Sequence, residues 1–239
     1  MTVRLHLVAV DLQAPGPWPM DQDSIHYLCR VHRLGEGDSL VVFDGAGRER
    51  AAQICRFDGH LSLEPMGELV TGLMGAPVDV CYGLPKGEKL DRVTRQLTEL
   101  GVRTLTLVSC DRSVTKLTAA RAEKRRARLA RIIAEAARQS GRSDAMAIKG
   151  PVTLSTSLSE TEGETVLVFD PTGEHRIEDL ELRGAITLYV GPEGGFSPAE
   201  LAILDSAGAL RTQLGQLILR TETAAPVAAA LVLHRIGHL

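Results

Sequence analysis

The sequence predicts an α/β protein in which a small, mainly antiparallel β domain precedes a larger domain with a mostly parallel sheet. Three observations predict this fold class. Short β segments with glycine-containing turns fill the first 70 or so residues, whereas strands and helices alternate from Val78 onward. Between Glu68 and Pro77 the sequence loses charge and gains glycine and proline, as domain boundaries do. We therefore expect domains at residues 1–72 and 73–239.

The N-terminal domain is expected to be a small antiparallel barrel or sheet. Its predicted strands are Val3–Val10, Ser39–Phe43 and Ala51–Arg56. Glycine-rich segments at residues 35–38 and 44–47 separate them, and such segments mark turns.

The second domain opens with a predicted strand, helix and strand. Val78–Tyr82 and Thr104–Val108 are apolar strands, and between them Glu88–Leu100 places its leucines and valine on one helical face before Gly101 ends the helix. A helix that connects two strands in this way predicts a parallel pair. The later predicted elements are a basic helix (Ala122–Gln139), strands Thr165–Phe169 and Ile186–Val190, a helix at Pro198–Ser206, a strand near Gln216–Leu219 and a closing helix from about Thr223.

Charge is unevenly distributed although the chain of 239 residues has a net charge of only −3. Residues 75–150 carry 16 Lys or Arg against 8 Asp or Glu, whereas both flanking segments are acidic. Such a basic segment favours a nucleic-acid or other polyanionic partner, because binding of its cations to phosphates releases the counterions of the polyanion. The alternative interpretation is a helix face exposed to solvent. No apolar run is long enough to span a membrane and no signal peptide is evident, so we expect a cytoplasmic protein with no membrane partner.

The cysteines are expected to be reduced core residues. The four of them, at positions 29, 55, 81 and 110, are isolated in apolar stretches and lack metal-ligand spacing, so no metal site is expected.

A glycine loop between a predicted strand and a predicted helix is the sharpest local feature. It runs from Gly191 to Glu200, and Ser197 and Glu200 have the spacing of a capping box, with Pro198 at the first helical position. Ligands of open α/β sheets bind at such an edge, although a tight turn would need the same residues. The loop lacks both common nucleotide-phosphate fingerprints, and Glu193 would repel a phosphate while tolerating a cationic or hydroxyl-bearing ligand.

A second loop follows one helix later and carries a cation and a carboxylate. Arg220 and Glu222 lie where the strand near Gln216–Leu219 is expected to end, and they could equally form a structural ion pair. Thr221 or Thr223 is expected to cap the last helix. That helix, Ala224–Ile236, has few charges, so its surface is expected to be buried, in part against a second subunit.

Several motifs, in order along the chain, resemble the RsmE-type 16S ribosomal RNA uridine-N3 methyltransferases of the SPOUT superfamily. In the second domain they are Gly191–Ser197 (GPEGGFS), Leu214–Ala225 (LGQLILRTETAA) and Glu135–Arg142 (EAARQSGR). Earlier motifs that also match are His26–Asp38 (HYLCRVHRLGEGD), Phe43–Gly47 (FDGAG), Lys86–Lys89 (KGEK), Gln96–Val102 (QLTELGV) and Cys110–Ser113 (CDRS). The sequence departs from the family pattern after Arg142, where a proline is usual, and near Arg4, where aromatic residues usually follow.

The resemblance implies a PUA-like, RNA-binding barrel followed by a SPOUT-type α/β domain with a C-terminal trefoil knot. It also implies a homodimer that binds S-adenosylmethionine in the knot and acts on 16S rRNA or the small ribosomal subunit. The residues expected to bind the cofactor are Gly191, Pro192, Glu193, Gly194, Gly195, Leu214, Gly215, Leu219, Thr223 and Ala224.

The expected catalytic residues follow from the chemistry of methylation at uridine N3. Removal of the imide proton spreads negative charge onto O2 and O4, so a nearby cation should lower the barrier. Arg220 is the first candidate for this role and Arg142 the second. Glu222 or Glu193 could accept the proton or orient the site, or could merely hold the knot together.

Three alternatives remain open from the sequence. They are a non-catalytic RNA-binding protein, a nucleotide-dependent enzyme that uses the 191–195 loop, and a SPOUT methyltransferase acting on transfer RNA or a ribose hydroxyl.

Overall fold

The computed structural model describes residues 2–8, 10–86, 89–113 and 119–239. The chain divides into two compact units, Met1–Met74 with Ala137–Ala145, and Gly75–Ala136 with Met146–Leu239. The first boundary lies two residues beyond the expected one. Residues 137–145, which were expected in the second domain, belong to the first unit because their contacts lie there.

The first unit contains a five-stranded sheet. Its strands are β1 (Arg4–His6), β2 (Trp18–Pro19), β3 (Ser39–Phe43), β4 (Arg48–Phe57) and β5 (His60–Thr71), in the order β1-β3-β4-β5-β2. All neighbouring pairs are antiparallel except β1 with β3, which is parallel. A helical segment, α1 (Gln22–Ile25) continuing into a π-helix (His26–Val31), follows β2.

The predicted strands of the first unit are partly confirmed. The strand at Ser39–Phe43 is confirmed, and the one at Ala51–Arg56 lies within the longer β4. The strand predicted at Val3–Val10 is shorter in the structure, and position 9 within it lies outside the described residues. The sequence analysis did not find β5, whose mixture of glycine, proline and charged residues obscures the alternation of a strand.

The second unit contains a seven-stranded parallel sheet. Its strands are β6 (Val78–Gly83), β7 (Thr104–Ser109), β8 (Ala147–Thr153), β9 (Thr165–Phe169), β10 (His175–Arg176), β11 (Ile186–Val190) and β12 (Leu210–Gln213), in the order β10-β12-β9-β11-β6-β7-β8. Every neighbouring pair is parallel, which confirms the predicted sheet type. In β11 every residue is buried, as expected for a central strand covered on both faces.

Helices connect the strands of this sheet, and most were expected. They are α2 (Lys89–Leu100), α3 (Ala119–Ser140), α4 (Leu154–Ser159), α5 (Pro198–Ser206) and α6 (Thr221–Arg235). The expected first residue of α2, at position 88, lies outside the described residues. The sequence analysis missed α4 and β8, whereas α5 has the bounds that were predicted. None of the helices within the described residues has the length and apolar character needed to cross a membrane.

The strand predicted near Gln216–Leu219 is wrong. The strand in this part of the chain is β12, which ends at Gln213, before the predicted segment. Leu210 of β12 pairs with Leu167 of β9, and the chain beyond Gln213 is a loop. Within that loop Leu217 and Ile218 are 81% and 83% exposed, although their apolar character had indicated a buried strand. Hydrophobicity therefore misplaced the strand by a few residues, because the pairing with β9 decides where it lies.

The loop after β11 lies directly against the end of β6. A Cβ atom placed on Gly83 would lie 2.5 Å from both Cδ and the backbone nitrogen of Pro192, so only glycine fits there. Helix α6 then packs on α2, β6 and β11. The trefoil knot implied by the resemblance remains a prediction.

Candidate functional site

A cavity of about 440 Å³ lies in the second unit, at the carboxyl ends of β9 and β11. Val190 and Phe169 are register partners at these strand ends, so the loops that follow the two strands begin side by side. The cavity is lined by Lys89, Phe169, Asp170, Pro171, Val190, Gly191, Pro192, Glu193, Gly195, Leu214, Gly215, Leu217, Ile218, Leu219, Arg220, Thr221, Glu222 and Ala224. This is the position at which open parallel sheets bind ligands.

Most of the predicted cofactor residues meet in this cavity. Eight of the ten line it, and the two that do not are Gly194 and Thr223. Gly194 instead accepts a hydrogen bond on its carbonyl oxygen from Nη1 of Arg112 (2.9 Å), while Thr223 lines a separate groove between α2 and α6. The fold therefore brings the two glycine loops together at one cavity, as predicted, whereas the identity of their ligand stays a prediction.

The capping box predicted from Ser197 and Glu200 is present. The Ser197 hydroxyl accepts the backbone N–H of Glu200 (3.2 Å), and the Glu200 carboxylate accepts the backbone N–H of Ser197 (2.7 Å). Glu200 is buried and also accepts the backbone N–H of Asp111 (2.9 Å), while the Ser197 hydroxyl donates to the Asp111 carboxylate (2.6 Å). These bonds fix the end of the glycine loop to the segment after β7.

Thr221 joins the two loops of the cavity. Its buried hydroxyl donates a hydrogen bond of 2.6 Å to the carbonyl oxygen of Gly191. The prediction that Thr221 or Thr223 caps α6 is wrong, because Arg220 occupies the N-cap position and makes no side-chain capping bond. The Thr221 hydroxyl instead satisfies the carbonyl oxygen of Gly191 in the other loop.

Two glycines leave open space on the cavity side. Gly195 and Gly215 have φ angles of +68° and +124°, and a Cβ atom on either would meet no atom within 4 Å. Glycine is needed at both positions for the backbone conformation rather than for lack of room. The N–H group of Gly195 donates to the carbonyl oxygen of Pro192 (2.8 Å), so what the two glycines offer a ligand is room beside the backbone.

Lys89 connects the two carboxylates of the site. Its Nζ lies 3.0 Å from Oε1 of Glu193 and 3.2 Å from Oε2 of Glu222. Oε1 of Glu193 also accepts the backbone N–H of Lys86 (3.0 Å). Each of the three charged side chains is partly shielded from solvent.

These contacts shift the pKa values of all three groups toward their charged forms. Partial burial raises the pKa of Glu193, but hydrogen bonds from its own and the Lys86 backbone N–H, together with Lys89, outweigh burial and lower the pKa below its usual range. Glu222 follows the same pattern: burial raises its pKa, while its own backbone N–H, Lys89 and the charge of Arg220 lower it further. The hydrogen bond with Glu193, and then the contact with Glu222, raise the pKa of Lys89. Both carboxylates are thus ionised and weakly basic at neutral pH.

Arg220 lines the cavity with an exposed side chain. Among the described residues no carboxylate lies within ion-pairing distance of its guanidinium group, so the ion pair with Glu222 that the sequence left open is not formed. The carbonyl oxygen of Arg220 accepts the N–H groups of Thr223 and Ala224 (both 2.8 Å), which fixes the backbone at the start of α6. The guanidinium group is therefore available to a ligand in the cavity.

Arg142, the second predicted catalytic residue, belongs to the first unit. It is 3% exposed, and its Nε and Nη2 donate to the two oxygens of Asp144 at 2.8 and 2.7 Å. A buried guanidinium group that is held by two parallel hydrogen bonds is already satisfied. This placement favours a structural role for Arg142 over the predicted catalytic one.

Several residues that line the cavity were not predicted from the sequence. Lys89 opens α2, far from the glycine loops in sequence, and no local signal connects it to them. Asp170 and Phe169 could have been found, because they end a strand that was correctly predicted and ligands bind where parallel strands end. Leu217 and Ile218 were assigned to a strand instead of a loop.

Comparison with known proteins gives two family matches. Residues 74–233 match the model described as an RNA methyltransferase domain, and residues 21–54 match the RNA methyltransferase PUA domain. The first match covers the whole cavity and more than half of the chain.

Individual proteins that resemble the chain carry a common name. The "Ribosomal RNA small subunit methyltransferase E" of Mycobacterium tuberculosis (strain CDC 1551 / Oshkosh) is 33% identical over 222 residues, which cover 87% of this chain and 83% of the relative. The protein of that name from Bacillus subtilis (strain 168) is 26% identical over 236 residues, covering 92% and 91%. A crystal structure of the Neisseria gonorrhoeae protein of that name, bound to S-adenosyl methionine, superimposes with a TM-score of 0.85 at 26% identity, covering 99% of this chain and 98% of that one.

Proposed function

Because the chain belongs to the RNA methyltransferase family, we propose that it transfers a methyl group from S-adenosylmethionine to N3 of a uridine in 16S ribosomal RNA. The observation that carries this proposal is the cavity at the carboxyl ends of β9 and β11, which is formed by the two glycine loops inside the matched domain. Relatives with the same overall fold are named ribosomal RNA small subunit methyltransferase E, which supports ribosomal RNA as the substrate.

The cavity residues fit S-adenosylmethionine. Apolar side chains of Phe169, Val190, Leu214 and Leu219 offer a surface for an adenine ring, and the absence of side chains at Gly195 and Gly215 leaves room for the cofactor beside the loops. The ionised carboxylates suit the positive charges of the methionine part. When bound, this cofactor supplies an electrophilic methyl group.

Arg220 is our candidate for the residue that stabilises the reacting uridine. Loss of the N3 proton places negative charge on O2 and O4, and a fixed cation beside these oxygens lowers the barrier. Arg220 lines the cavity and has no carboxylate partner among the described residues. Glu193 and Glu222 have lowered pKa values, which argues for holding the cofactor rather than accepting the proton.

The surface of α3 supports an RNA partner. Arg126 and Arg128 are paired, with Glu123 and Asp91, but Arg121, Lys124 and Arg131 are exposed with no ion-pair partner among the described residues. Cations of this kind contact phosphates and give affinity that falls with salt. The PUA domain of the first unit adds a second RNA-binding element. We place the protein in the cytoplasm, where ribosomal RNA is modified.

We also propose that the chain forms a homodimer through α2 and α6. The inner face of α6, with Ala225, Ala229 and Leu233, is buried within the chain. Its other face lines a groove against α2 with Pro226, Val227 and Ala230. That groove, of about 470 Å³, combines this apolar face of α6 with polar and charged residues of α2, and it offers a surface for a second copy.

Sedimentation equilibrium should therefore report twice the chain mass, because pairing would bury the apolar face of α6 in both copies. Replacing Val227 with glutamate should shift the protein to the monomer, since burying the new charge in the interface has a desolvation cost. The control Glu181→Lys changes an exposed charge of the second unit and should leave the dimer unchanged. A monomeric wild-type protein would refute this part of the proposal.

The reaction itself is tested on ribosomal RNA nucleosides. Small-subunit rRNA from cells that lack the protein should contain no 3-methyluridine by mass spectrometry, and the purified protein with S-adenosylmethionine should restore it. Persistence of 3-methyluridine in the deleted strain would contradict the proposal. If a ribose-methylated nucleoside or a transfer RNA modification disappeared instead, the substrate assignment would be wrong and the methyltransferase assignment would stand.

A further inference from the structure

The bridge formed by Lys89 brings together three separate parts of the second unit. Lys89 opens α2, Glu193 lies in the loop after β11, and Glu222 lies in the first turn of α6. Nζ of Lys89 lies within 3.2 Å of both carboxylates, and all three side chains line the same cavity. The bridge is therefore part of the cavity wall and not an isolated surface ion pair.

Without a cation between them, the two carboxylates would repel each other. A single ammonium group reaches both, so Glu193 and Glu222 are close enough to share one partner. Like charges that share a site raise the pKa of at least one of them, and protonation then removes the negative charge. Lys89 opposes this effect, and the pKa values of both carboxylates lie below their usual range.

Other charged and titratable groups near the bridge do not replace Lys89. Arg220 lies on the same element as Glu222 and contributes a weaker attraction to it, and Tyr82 of β6 is fully buried, with a pKa raised by burial and by the two carboxylates. Asp170 lines the same cavity. Asp91 and Arg92 of α2 line a small cavity with Lys89 and Glu222, and Asp91 is paired with Arg128. Lys89 is the cation in contact with both carboxylates among the described residues.

The charges that line the cavity suit a cationic ligand, because carboxylates outnumber cations. The cavity is lined by three carboxylates and two cations. The carboxylates belong to Asp170, Glu193 and Glu222, and the cations to Lys89 and Arg220. S-adenosylmethionine carries a sulfonium and an ammonium group against one carboxylate, so its positive charges need acceptors that remain ionised. The neutral form of a glutamic acid is a poor partner for either cation.

We propose that Lys89 is a positioning residue of the cofactor site, which holds Glu193 and Glu222 as oriented anions against the positively charged groups of S-adenosylmethionine. This rests on the proposed function, because it takes that cofactor as the ligand. In this proposal the two carboxylates bind the cofactor, and the proton of uridine N3 is accepted by another group, such as solvent.

The first test needs no cofactor. Carboxyl-carbon NMR titration of the free protein should show Glu193 and Glu222 titrating below the usual glutamate range in the wild type. In Lys89→Met, which keeps the apolar stem, at least one of them should titrate above that range. Lys89→Arg should restore the wild-type behaviour. The matched control is Lys86→Met, because the Lys86 side chain is exposed and only its backbone N–H contacts Glu193.

The second test measures S-adenosylmethionine binding by calorimetry between pH 7.5 and 5.5. Wild type and Lys86→Met should bind with nearly constant affinity, whereas the affinity of Lys89→Met should fall about three- to fivefold as the pH falls, because a carboxylate becomes protonated. Equal carboxyl titrations and equal pH profiles for Lys89→Met and wild type would overturn the inference. A wild type that binds no S-adenosylmethionine would instead refute the proposed function, while the NMR titration would still decide whether Lys89 controls the carboxylates.

Discussion

Replacing Arg220 with alanine should reduce methyl transfer by about 100- to 1,000-fold, the usual loss when one group that stabilises developing charge is removed. The guanidinium group lines the cavity, is exposed, and has no carboxylate partner among the described residues, so its removal leaves no buried charge unpaired. S-adenosylmethionine affinity by calorimetry should change little. The effect should therefore appear in kcat from single-turnover methylation of ribosomal RNA.

The matched control is Arg235→Ala, because Arg235 is exposed in the last turn of the same helix and lies outside the cavity lining. That variant should methylate at the wild-type rate. Arg220→Lys should recover part of the rate, since it restores the charge without the planar guanidinium group. A wild-type rate of methyl transfer in Arg220→Ala would show that Arg220 has no role in catalysis.

Replacing Gly195 with tryptophan should abolish measurable binding of S-adenosylmethionine. Gly195 lines the cavity and a Cβ atom there would meet no atom within 4 Å, so we expect a large ring at this position to compete with the cofactor for the space beside the loop. The φ angle of +68° adds backbone strain for any side chain, so loss of binding must be separated from unfolding. Calorimetry gives the affinity, and circular dichroism with thermal melting gives the folded fraction.

Gly208→Trp provides the matched control. Gly208 also has a positive φ angle, of +79°, and also faces open space, but it follows α5 and does not line the cavity. The melting temperatures of both variants should fall by similar amounts, and only Gly195→Trp should fail to bind S-adenosylmethionine. Leu219→Arg tests the same wall without backbone strain and should also prevent binding. Unchanged affinity in both cavity variants would show that the cofactor binds elsewhere.

Local sequence patterns predicted much of the second unit correctly. The start of α5 was predicted from Ser197, Pro198 and Glu200, and the capping box is present in the structure. Strands β9 and β11 were predicted with the bounds that they have, because each is a continuous apolar run of the length of a buried strand. Signals of this kind depend on residues within one turn or one strand.

Errors arose where distant residues decide the structure. Leu217 and Ile218 are apolar enough for a strand, but β9 pairs with Leu210–Gln213 instead. The catalytic role of Arg142 stays a prediction, although its buried guanidinium group donates to both carboxylate oxygens of Asp144. Thr221 was expected to cap α6, yet its hydroxyl binds Gly191, 30 positions away.

The sequence by itself determined the fold class, the two glycine loops and the residue types that make a ligand site possible, because spacing and composition act over a few residues. Only the tertiary structure decided that Lys89 stands between Glu193 and Glu222, more than 100 positions from either. Electrostatic contacts of this kind depend on distances of a few ångströms, which parallel strand pairing and helix packing establish and which sequence separation does not reveal.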